Sequence, residues 1–263
     1  MSEPRPLSSE ELQRYARHIV LPEVGGAGQQ ALKRARVLAI GAGGIGSPVL
    51  LYLAAAGVGT LGVVDDDAVS VSNLQRQVLH GTPDIDRPKT QSASARIGAI
   101  NPHVSVVEHR LRIDPQNGGE LVRSYDLVID GSDNFATRYA MADLCAAERR
   151  PLITAAVNRF AGSLTTLVPF RNGPDGRPNP SYRDLFPEAP PPGVVPSCSE
   201  AGILGVVPGI LGTLAATEAI KLICSIGDPL IGRLLMVDAL TMQFQEVRYR
   251  KRDRGLPDAL TQP

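Results

Sequence analysis

The chain has 263 residues, of which 43% are hydrophobic and 21% are charged, and its 27 basic residues are balanced by 27 acidic residues. A formal net charge of zero lacks the basic excess of nucleic-acid-binding and polybasic membrane-binding proteins, so neither nucleic acid nor membrane is an expected partner. Residues 1–6 contain no apolar signal core, and the odd number of cysteines, three, indicates reduced thiols, so we expect a cytoplasmic protein.

The predicted elements begin with two helices. The pattern Ser8-x-x-Glu11 is a capping box and predicts a helix over residues 9–19, and a short helix is expected over 28–34. Strands and helices then alternate. Strands are predicted at 36–40, 60–65, 103–108, 126–130 and 152–157, and the helices between them at 45–56, 88–100, 116–124 and 134–148. This alternation is typical of an α/β fold with a doubly wound, mostly parallel, Rossmann-like sheet.

The C-terminal third of the chain departs from that alternation. Residues 162–169, 232–238 and 242–249 are predicted strands, and the last two are close enough in sequence to form antiparallel strands at the C-terminal edge of the sheet. The run 203–223 is apolar and about as long as a membrane span. Pro208, Glu218 and Lys221 interrupt it, which favours a buried core or interface helix.

Residues 1–250 are expected to form one domain, and the charged residues 251–263 a flexible tail. Within the domain, residues 170–200 are rich in proline and poor in apolar side chains. A stretch this long without predicted elements is either a functional loop or a disordered insertion, and the sequence pattern leaves both open.

A glycine-rich turn lies between the first predicted strand and the helix after it. It contains Gly41, Gly43, Gly44 and Gly46. At such a turn the bare backbone can approach a phosphate, and the helix N-terminus attracts its charge. Asp65 ends the next strand, 19 residues after Gly46, near the spacing at which a carboxylate meets a ribose hydroxyl. The turn therefore predicts a nucleotide site.

Polar residues after the second strand indicate which nucleotide chemistry is involved. Asp66 and Asp67 extend the acidic cluster, and Asp66 is expected to cap a turn. Arg76 and Lys89 are strong donors for phosphate oxygens. Two such cations suit a triphosphate better than a dinucleotide pyrophosphate that backbone amides already hold.

Taken together, these motifs resemble those of the MoeB/ThiF/HesA adenylyltransferases, relatives of the ubiquitin-activating enzymes. The resemblance extends from Arg14 to about Tyr249. Its signatures are residues 41–46, 72–77, 88–89, 100–102, 130–134, 185–188, 198–202 and 218–221.

The resemblance implies a homodimer that uses ATP and Mg²⁺ to adenylate the C-terminal glycine of a small ubiquitin-like sulfur-carrier protein. A carboxylate is already a nucleophile, so such a site needs positive charge and positioning more than a general base. This agrees with four histidines that show no triad or metal spacing. Because no rhodanese domain follows in this sequence, a separate sulfur donor is expected. The carrier and its pathway stay open.

By resemblance, five residues bind the nucleotide in addition to the glycine turn. Asp65 holds the ribose, and Asp67 lies near it. Asn73 and Arg76 bind phosphate oxygens, and Lys89 bridges the phosphates as charge moves to the leaving pyrophosphate.

The resemblance also assigns roles outside this group, and it implies that residues 170–200 form a crossover loop over the substrate tail. Asp133 binds Mg²⁺, and Arg17 reaches the γ-phosphate across the dimer interface. Cys198 lies in the loop before the apolar helix, where a thiol of lowered pKa could join the carrier covalently. Adenylation itself needs no thiol, so a spectator role for Cys198 also stays open.

One departure from the family concerns zinc. Many relatives bind a structural zinc through two Cys-x-x-Cys pairs. The first pair would fall at Ser181 and Asp184, and the second in the tail after Arg250, which contains no cysteine. A Cys₄ site needs four thiolates and the chain has three cysteines, so no zinc site is expected.

Other functions remain as alternatives. One is an adenylating enzyme for a peptide or tRNA substrate, and another is a non-catalytic module that binds a ubiquitin-like protein. The presence of Arg76, Lys89 and Asp133 together argues against the non-catalytic module. An NAD-dependent oxidoreductase would have no use for Lys89.

Overall fold

The protein is built around one mixed sheet. A computed structural model describes residues 6–190 and 201–252 of the chain. The strand order is β3-β2-β1-β4-β5-β6-β7-β8. The strands are β1 Arg36–Ile40, β2 Thr60–Val64, β3 Ser105–His109, β4 Leu127–Asp130, β5 Leu152–Asn158, β6 Ala161–Leu167, β7 Arg233–Asp238 and β8 Gln243–Arg248. The first five are parallel, and β5 to β8 pair antiparallel. The predicted fold class, including the β7–β8 edge pair, is confirmed.

Helices cover both faces of the sheet. They are α1 Ser9–Arg14, α2 Ala16–Ile19, α3 Gly25–Arg34, α4 Gly46–Ala56, α5 Lys89–Ile100, α6 Gly118–Arg123, α7 Phe135–Ala147, α8 Tyr182–Leu185 and α9 Val206–Cys224. Alternate residues of β1 enter two different cores. Val37 and Ala39 pack with α3, α4, α5 and α9, whereas Leu38 and Ile40 pack on the side of α7. A strand buried on both faces explains the continuous apolar run in its sequence.

The N-terminal helix differs from the prediction. The capping box at Ser8 is present, but the predicted helix 9–19 divides at Tyr15 into α1 and α2. Tyr15 is 3% exposed, and its hydroxyl accepts a hydrogen bond from Asn101 Nδ2 at 2.7 Å. Its ring occupies the space in which a side chain at Gly57 would lie. These distant contacts break the helix, and a local helical pattern does not reveal them.

The apolar helix α9 packs in the core. By length and composition it is the one described helix that could cross a membrane, a test that core helices also pass. It contacts α3, α4, β5 and β6. Its buried Glu218 accepts hydrogen bonds from Thr166 Oγ1 at 2.8 Å and from the Leu230 backbone at 2.7 Å. The predicted core helix is therefore present, with bounds shifted from 203–223 to 206–224.

The proline-rich loop is partly structured. Its described part contains α8, in which Tyr182 and Asp184 are buried. The Tyr182 ring meets the Tyr139 ring of α7 edge-on at 5.1 Å, and the Tyr139 hydroxyl donates to the Phe186 carbonyl at 3.0 Å. These contacts exclude a disordered insertion for this part. Residues 191–200 lie outside the described residues.

Substitution by alanine should have opposite effects on stability at two glycines, Gly62 and Gly98. A Cβ at Gly62 in β2 would lie 2.3 Å from the Tyr125 hydroxyl oxygen, whereas a Cβ at Gly98 in α5 meets nothing within 4 Å. We expect Gly62→Ala to lower the free energy of unfolding by about 1–3 kcal/mol through overpacking. Gly98→Ala should raise it by roughly 0.5–1 kcal/mol, since alanine is the better helix former. Urea unfolding measures both. Equal stabilities of the two variants would contradict the described packing.

Candidate active site

A cavity of about 330 Å³ lies at the carboxyl ends of β1, β2 and β4. This is where the strand order reverses, and open α/β sheets bind ligands at that point. Many of the predicted site residues line the cavity. They are Gly41, Gly43, Gly44, Asp65, Asp67, Arg76, Lys89 and Asp133.

The glycine turn forms one wall with bare backbone. Gly41 has φ +90°, a conformation that favours glycine. A Cβ on Gly46 would lie 1.9 Å from the Gly41 carbonyl oxygen, so no side chain fits there. Gly46 itself lies buried behind the turn and does not line the cavity. Its role in this structure is to let the turn close before α4 begins.

The backbone of Ala42 is fixed on both sides. Its N–H donates to Asp65 Oδ2 at 2.8 Å, and its carbonyl accepts from His80 Nε2 at 2.9 Å. His80 is buried, and this burial lowers its pKa. A neutral ring with the proton on Nε2 satisfies the carbonyl and leaves Nδ1 to accept from Ser92 Oγ at 2.8 Å. In this arrangement His80 holds the glycine turn in place.

Lys89 lines the cavity as a buried ammonium. Its Nζ lies 2.7 Å from Asp67 Oδ2 and 3.7 Å from Asp65 Oδ1. The Lys89 and Asp65 side chains are almost inaccessible, whereas the Asp67 side chain is 67% exposed. Burial raises the pKa of Asp65, and the Lys89 charge opposes the shift. Asp65 Oδ1 also accepts from the Asp67 N–H, so Asp65, rather than Asp66, closes this turn.

Arg76 reaches the cavity beside the glycine turn. Its guanidinium donates to the Asn73 side-chain oxygen and to the Ser72 carbonyl, both at 3.1 Å. Asn73 does not line the cavity. In this geometry Asn73 orients Arg76, and its predicted direct contact with phosphate stays a prediction.

Asp133 lies in the turn between β4 and α7. Asp130 before it is fully buried and accepts from the Ser132 N–H at 2.9 Å, and Asn134 after it caps α7 by accepting from the Thr137 N–H at 2.9 Å. Asp133 itself is exposed to the cavity. A free carboxylate at this place fits a hard cation such as Mg²⁺. Within residues 6–190 and 201–252, the three carboxylates close enough to share a cation are those of Asp65, Asp66 and Asp67.

Two arginines that line the cavity were not identified from the sequence. Arg138 is buried, and its guanidinium donates to the Ser132 carbonyl at 2.9 Å. Burial raises the pKa of Asp130, and the positive charge of Arg138 opposes the shift. Arg112, which follows β3, also lines the cavity. Their positions in the sequence could have identified them. Arg138 lies one helical turn after Asn134, and Arg112 lies at the carboxyl edge of the sheet.

Three of the predicted site residues that the structure describes do not line the cavity: Gly46, Asn73 and Arg17. Arg17 is exposed on α2 and does not line the cavity, so its contact with a phosphate would need a second subunit. Cys198 lies outside the described residues. Of the other thiols, Cys145 is buried in the core, and burial raises its pKa. Cys224 is half-buried on α9, facing the Gly28 carbonyl.

The whole chain has known relatives. A model of the ThiF family matches residues 15–257. Over 245 residues the chain is 51% identical to the probable adenylyltransferase/sulfurtransferase MoeZ of Mycobacterium tuberculosis, a match that covers 93% of this chain and 62% of that relative's length. It is 48% identical over 248 residues to the sulfur carrier protein adenylyltransferase of Thermus thermophilus, covering 94% of this chain and 90% of the relative.

Solved structures share the fold. The E. coli protein MccB, crystallised with MccA-N7isoASN, matches with a TM-score of 0.80 and 22% sequence identity. The match covers 91% of this chain and 72% of the MccB chain. At this identity the likeness concerns the fold alone.

The glycine turn yields a prediction about nucleotide binding. Gly46→Ala would place a methyl group 1.9 Å from the Gly41 carbonyl oxygen, so the turn must open. We expect the thermal shift produced by ATP to be lost, because a ligand that binds only the native state raises apparent stability. Gly26→Ala in α3 is the control, since a Cβ there meets nothing within 4 Å. An ATP shift preserved in Gly46→Ala would show that the turn is not the phosphate wall.

Proposed function

Because the chain belongs to the ThiF family, we propose that it is an ATP-dependent adenylyltransferase that activates the C-terminal glycine carboxylate of a small ubiquitin-like sulfur-carrier protein. The observation that carries the proposal is the convergence of Arg76, Lys89 and the glycine turn on one cavity. The substrate class is supported by the name of the Thermus thermophilus relative, a sulfur carrier protein adenylyltransferase.

The proposed reaction needs no general base. A carboxylate oxygen of the carrier attacks the α-phosphorus of ATP, the bond to the pyrophosphate oxygen breaks, and an acyl-adenylate and pyrophosphate form. Both reactants are anionic, so fixed positive charge is the main requirement. Lys89 is already fixed by two carboxylates, and Arg76 by Asn73 and the Ser72 carbonyl. These cations therefore need little reorganisation when the phosphates arrive.

Asp133 is the proposed ligand of Mg²⁺. Its exposed carboxylate at the cavity provides the oxygen donor that this hard cation prefers. The bound ion would neutralise phosphate charge. The neighbouring residues of this chain hold the carboxylate in place, since Asn134 begins α7 and Asp130 anchors the turn in the core.

The homodimer and the role of Arg17 are part of the proposal. The exposed position of Arg17 on α2 is compatible with a contact in the cavity of a partner subunit. For Cys198, both alternatives stand: a covalent link to the carrier or a spectator thiol. Neither affects the adenylation step, which involves only a carboxylate, phosphates and cations.

The alternative functions differ in whether pyrophosphate exchange occurs, in whether it requires a carrier, and in which ligand stabilises the protein. A peptide- or tRNA-adenylating enzyme would catalyse pyrophosphate exchange without a ubiquitin-like carrier. A non-catalytic binding module would bind the carrier with no exchange, and a nicotinamide enzyme would be stabilised by NAD rather than by ATP with Mg²⁺. Pyrophosphate exchange measured with and without a candidate carrier ending in Gly-Gly therefore tests the proposal.

Lys89 provides the first test of the catalytic assignment. Lys89→Ala removes a preorganised charge, and the loss should lower carrier-dependent pyrophosphate exchange by ~10²-fold or more. Arg87→Ala is the matched control, because Arg87 pairs with Asp84 on the surface and does not line the cavity. Exchange by Lys89→Ala within a few-fold of the control would exclude Lys89 from phosphate contact.

Asp133 provides the second test. Asp133→Asn keeps the shape of the side chain but removes its charge, so the Mg²⁺ concentration needed for half-maximal exchange should rise about tenfold or more. Asp66→Asn serves as the comparison, since it alters the acidic cluster instead. If the Mg²⁺ requirement changes in Asp66→Asn and not in Asp133→Asn, the ion is held by the acidic cluster and the assignment is wrong.

A further inference from the structure

A buried carboxylate outside the cavity has no part in the proposed reaction. Asp184 in α8 is 7% exposed. Its Oδ2 accepts from the Ser181 N–H and the Ser181 hydroxyl, both at 2.7 Å, and its Oδ1 accepts from the Arg252 N–H at 3.0 Å. Burial opposes ionisation, but these donors together lower the pKa of Asp184. The carboxylate is therefore charged, and both of its oxygens are occupied.

The same residue binds the chain end a second time. The Asp184 carbonyl accepts from Arg252 Nε at 2.9 Å. Two hydrogen bonds thus join α8 to a segment 68 residues later, four residues beyond β8. The predicted flexible tail, residues 251–263, is tied down at its first residues.

From α8 the contacts continue to the cavity. Tyr182 packs on Tyr139 of α7, and Arg183 forms a 2.7 Å ion pair with Asp143 of the same helix. The first residues of α7 form part of the cavity wall, among them Thr137 and Arg138. A continuous set of contacts therefore runs from the end of the sheet through α8 and α7 to the nucleotide site.

The family resemblance places a structural zinc at this junction, and the donors here do not fit one. Ser181 and Asp184 stand where the first cysteine pair would be, and both oxygens of Asp184 are already hydrogen-bonded. The hydroxyl of Ser181 is consumed as a donor to the same carboxylate. A structural zinc takes four thiolate or imidazole ligands, and neither type of side chain occupies these two positions.

We propose that Asp184 and Arg252 form a metal-free clasp that fixes α8 to the end of the sheet and thereby positions the N-terminal end of α7 at the nucleotide cavity. Asp184 is in this sense a positioning residue. The clasp is a property of the fold, so it can be tested whether or not the carrier is adenylated.

Graded variants test the clasp in the full-length protein. Arg252→Ala removes the Nε donor, Arg252→Pro removes both the Nε and the N–H donor, and Asp184→Asn removes the charge. Arg250→Ala is the control, an exposed neighbour for which no side-chain partner is described. Amide hydrogen exchange is measured for residues 182–186, for residues 134–138 and for β1 and β2, and the KM for ATP is measured separately from kcat.

We expect Arg252→Pro and Asp184→Asn to raise exchange about tenfold in both 182–186 and 134–138 while β1 and β2 are unchanged. Arg252→Ala should give a smaller rise, and Arg250→Ala none. The KM for ATP should rise more than kcat falls, since the binding wall is displaced. Unchanged exchange, a rise confined to 182–186, or an equal rise in β1 and β2 would each overturn the proposal.

Metal content gives an independent check. Purified protein should contain far less than one zinc per chain, and a chelator should change neither its melting temperature nor the exchange of residues 182–186. Stoichiometric zinc, or a chelator-dependent increase in exchange at 182–186, would show that a metal holds this junction.

Discussion

The arrangement of the residues around the cavity depends on the contacts of one carboxylate, that of Asp65. It accepts from the Ala42 N–H in the glycine turn and from the Asp67 N–H, and it lies 3.7 Å from the Lys89 ammonium. One side chain thus joins the end of β2 to the glycine turn and to the first residue of α5. Burial raises the pKa of this carboxyl, and the Lys89 charge and the two N–H donors oppose that shift because they offset the lost hydration of the ionised form. The cavity keeps its shape as long as this carboxylate keeps its partners.

Three cations of the site are held by oxygen-bearing groups of the protein itself. Lys89 is paired with acidic groups, Arg138 lies close to the buried Asp130, and Arg76 is held by amide and carbonyl oxygens. Such prior pairing orients the cations and lowers the cost of assembling positive charge before a substrate is present. The proposed phosphate ligand would compete for Lys89 with the exposed carboxylate of Asp67, and moving that carboxylate into water costs little free energy.

The sequence pattern predicted the elements that depend on residues close together in the chain. The five parallel strands, the β7–β8 pair, the glycine turn and the position of Asp65 all follow from apolar runs and from the edge at which parallel strands end. The division of the first helix does not follow from local pattern. The position of the Tyr15 side chain depends on its contacts with Gly57 and Asn101, which are distant in sequence. Arg138 was missed because its contact with the Ser132 carbonyl appears only once α7 is placed.

The contact between Gly62 and Tyr125 limits how this sequence can vary. The Tyr125 hydroxyl lies where a side chain of residue 62 would begin, and it bonds to His109 at 2.7 Å while the Arg36 guanidinium lies over the ring at 5.2 Å. The space is shared, so the two positions are not independent. A larger residue at 62 becomes acceptable only after 125 has lost its ring. That change removes the hydrogen bond to His109 Nε2 and the ring beneath the Arg36 guanidinium, which then keeps its hydrogen bond to the Ser124 carbonyl. In evolutionary terms, the order of substitutions matters, and positions 62 and 125 are expected to covary among homologous sequences.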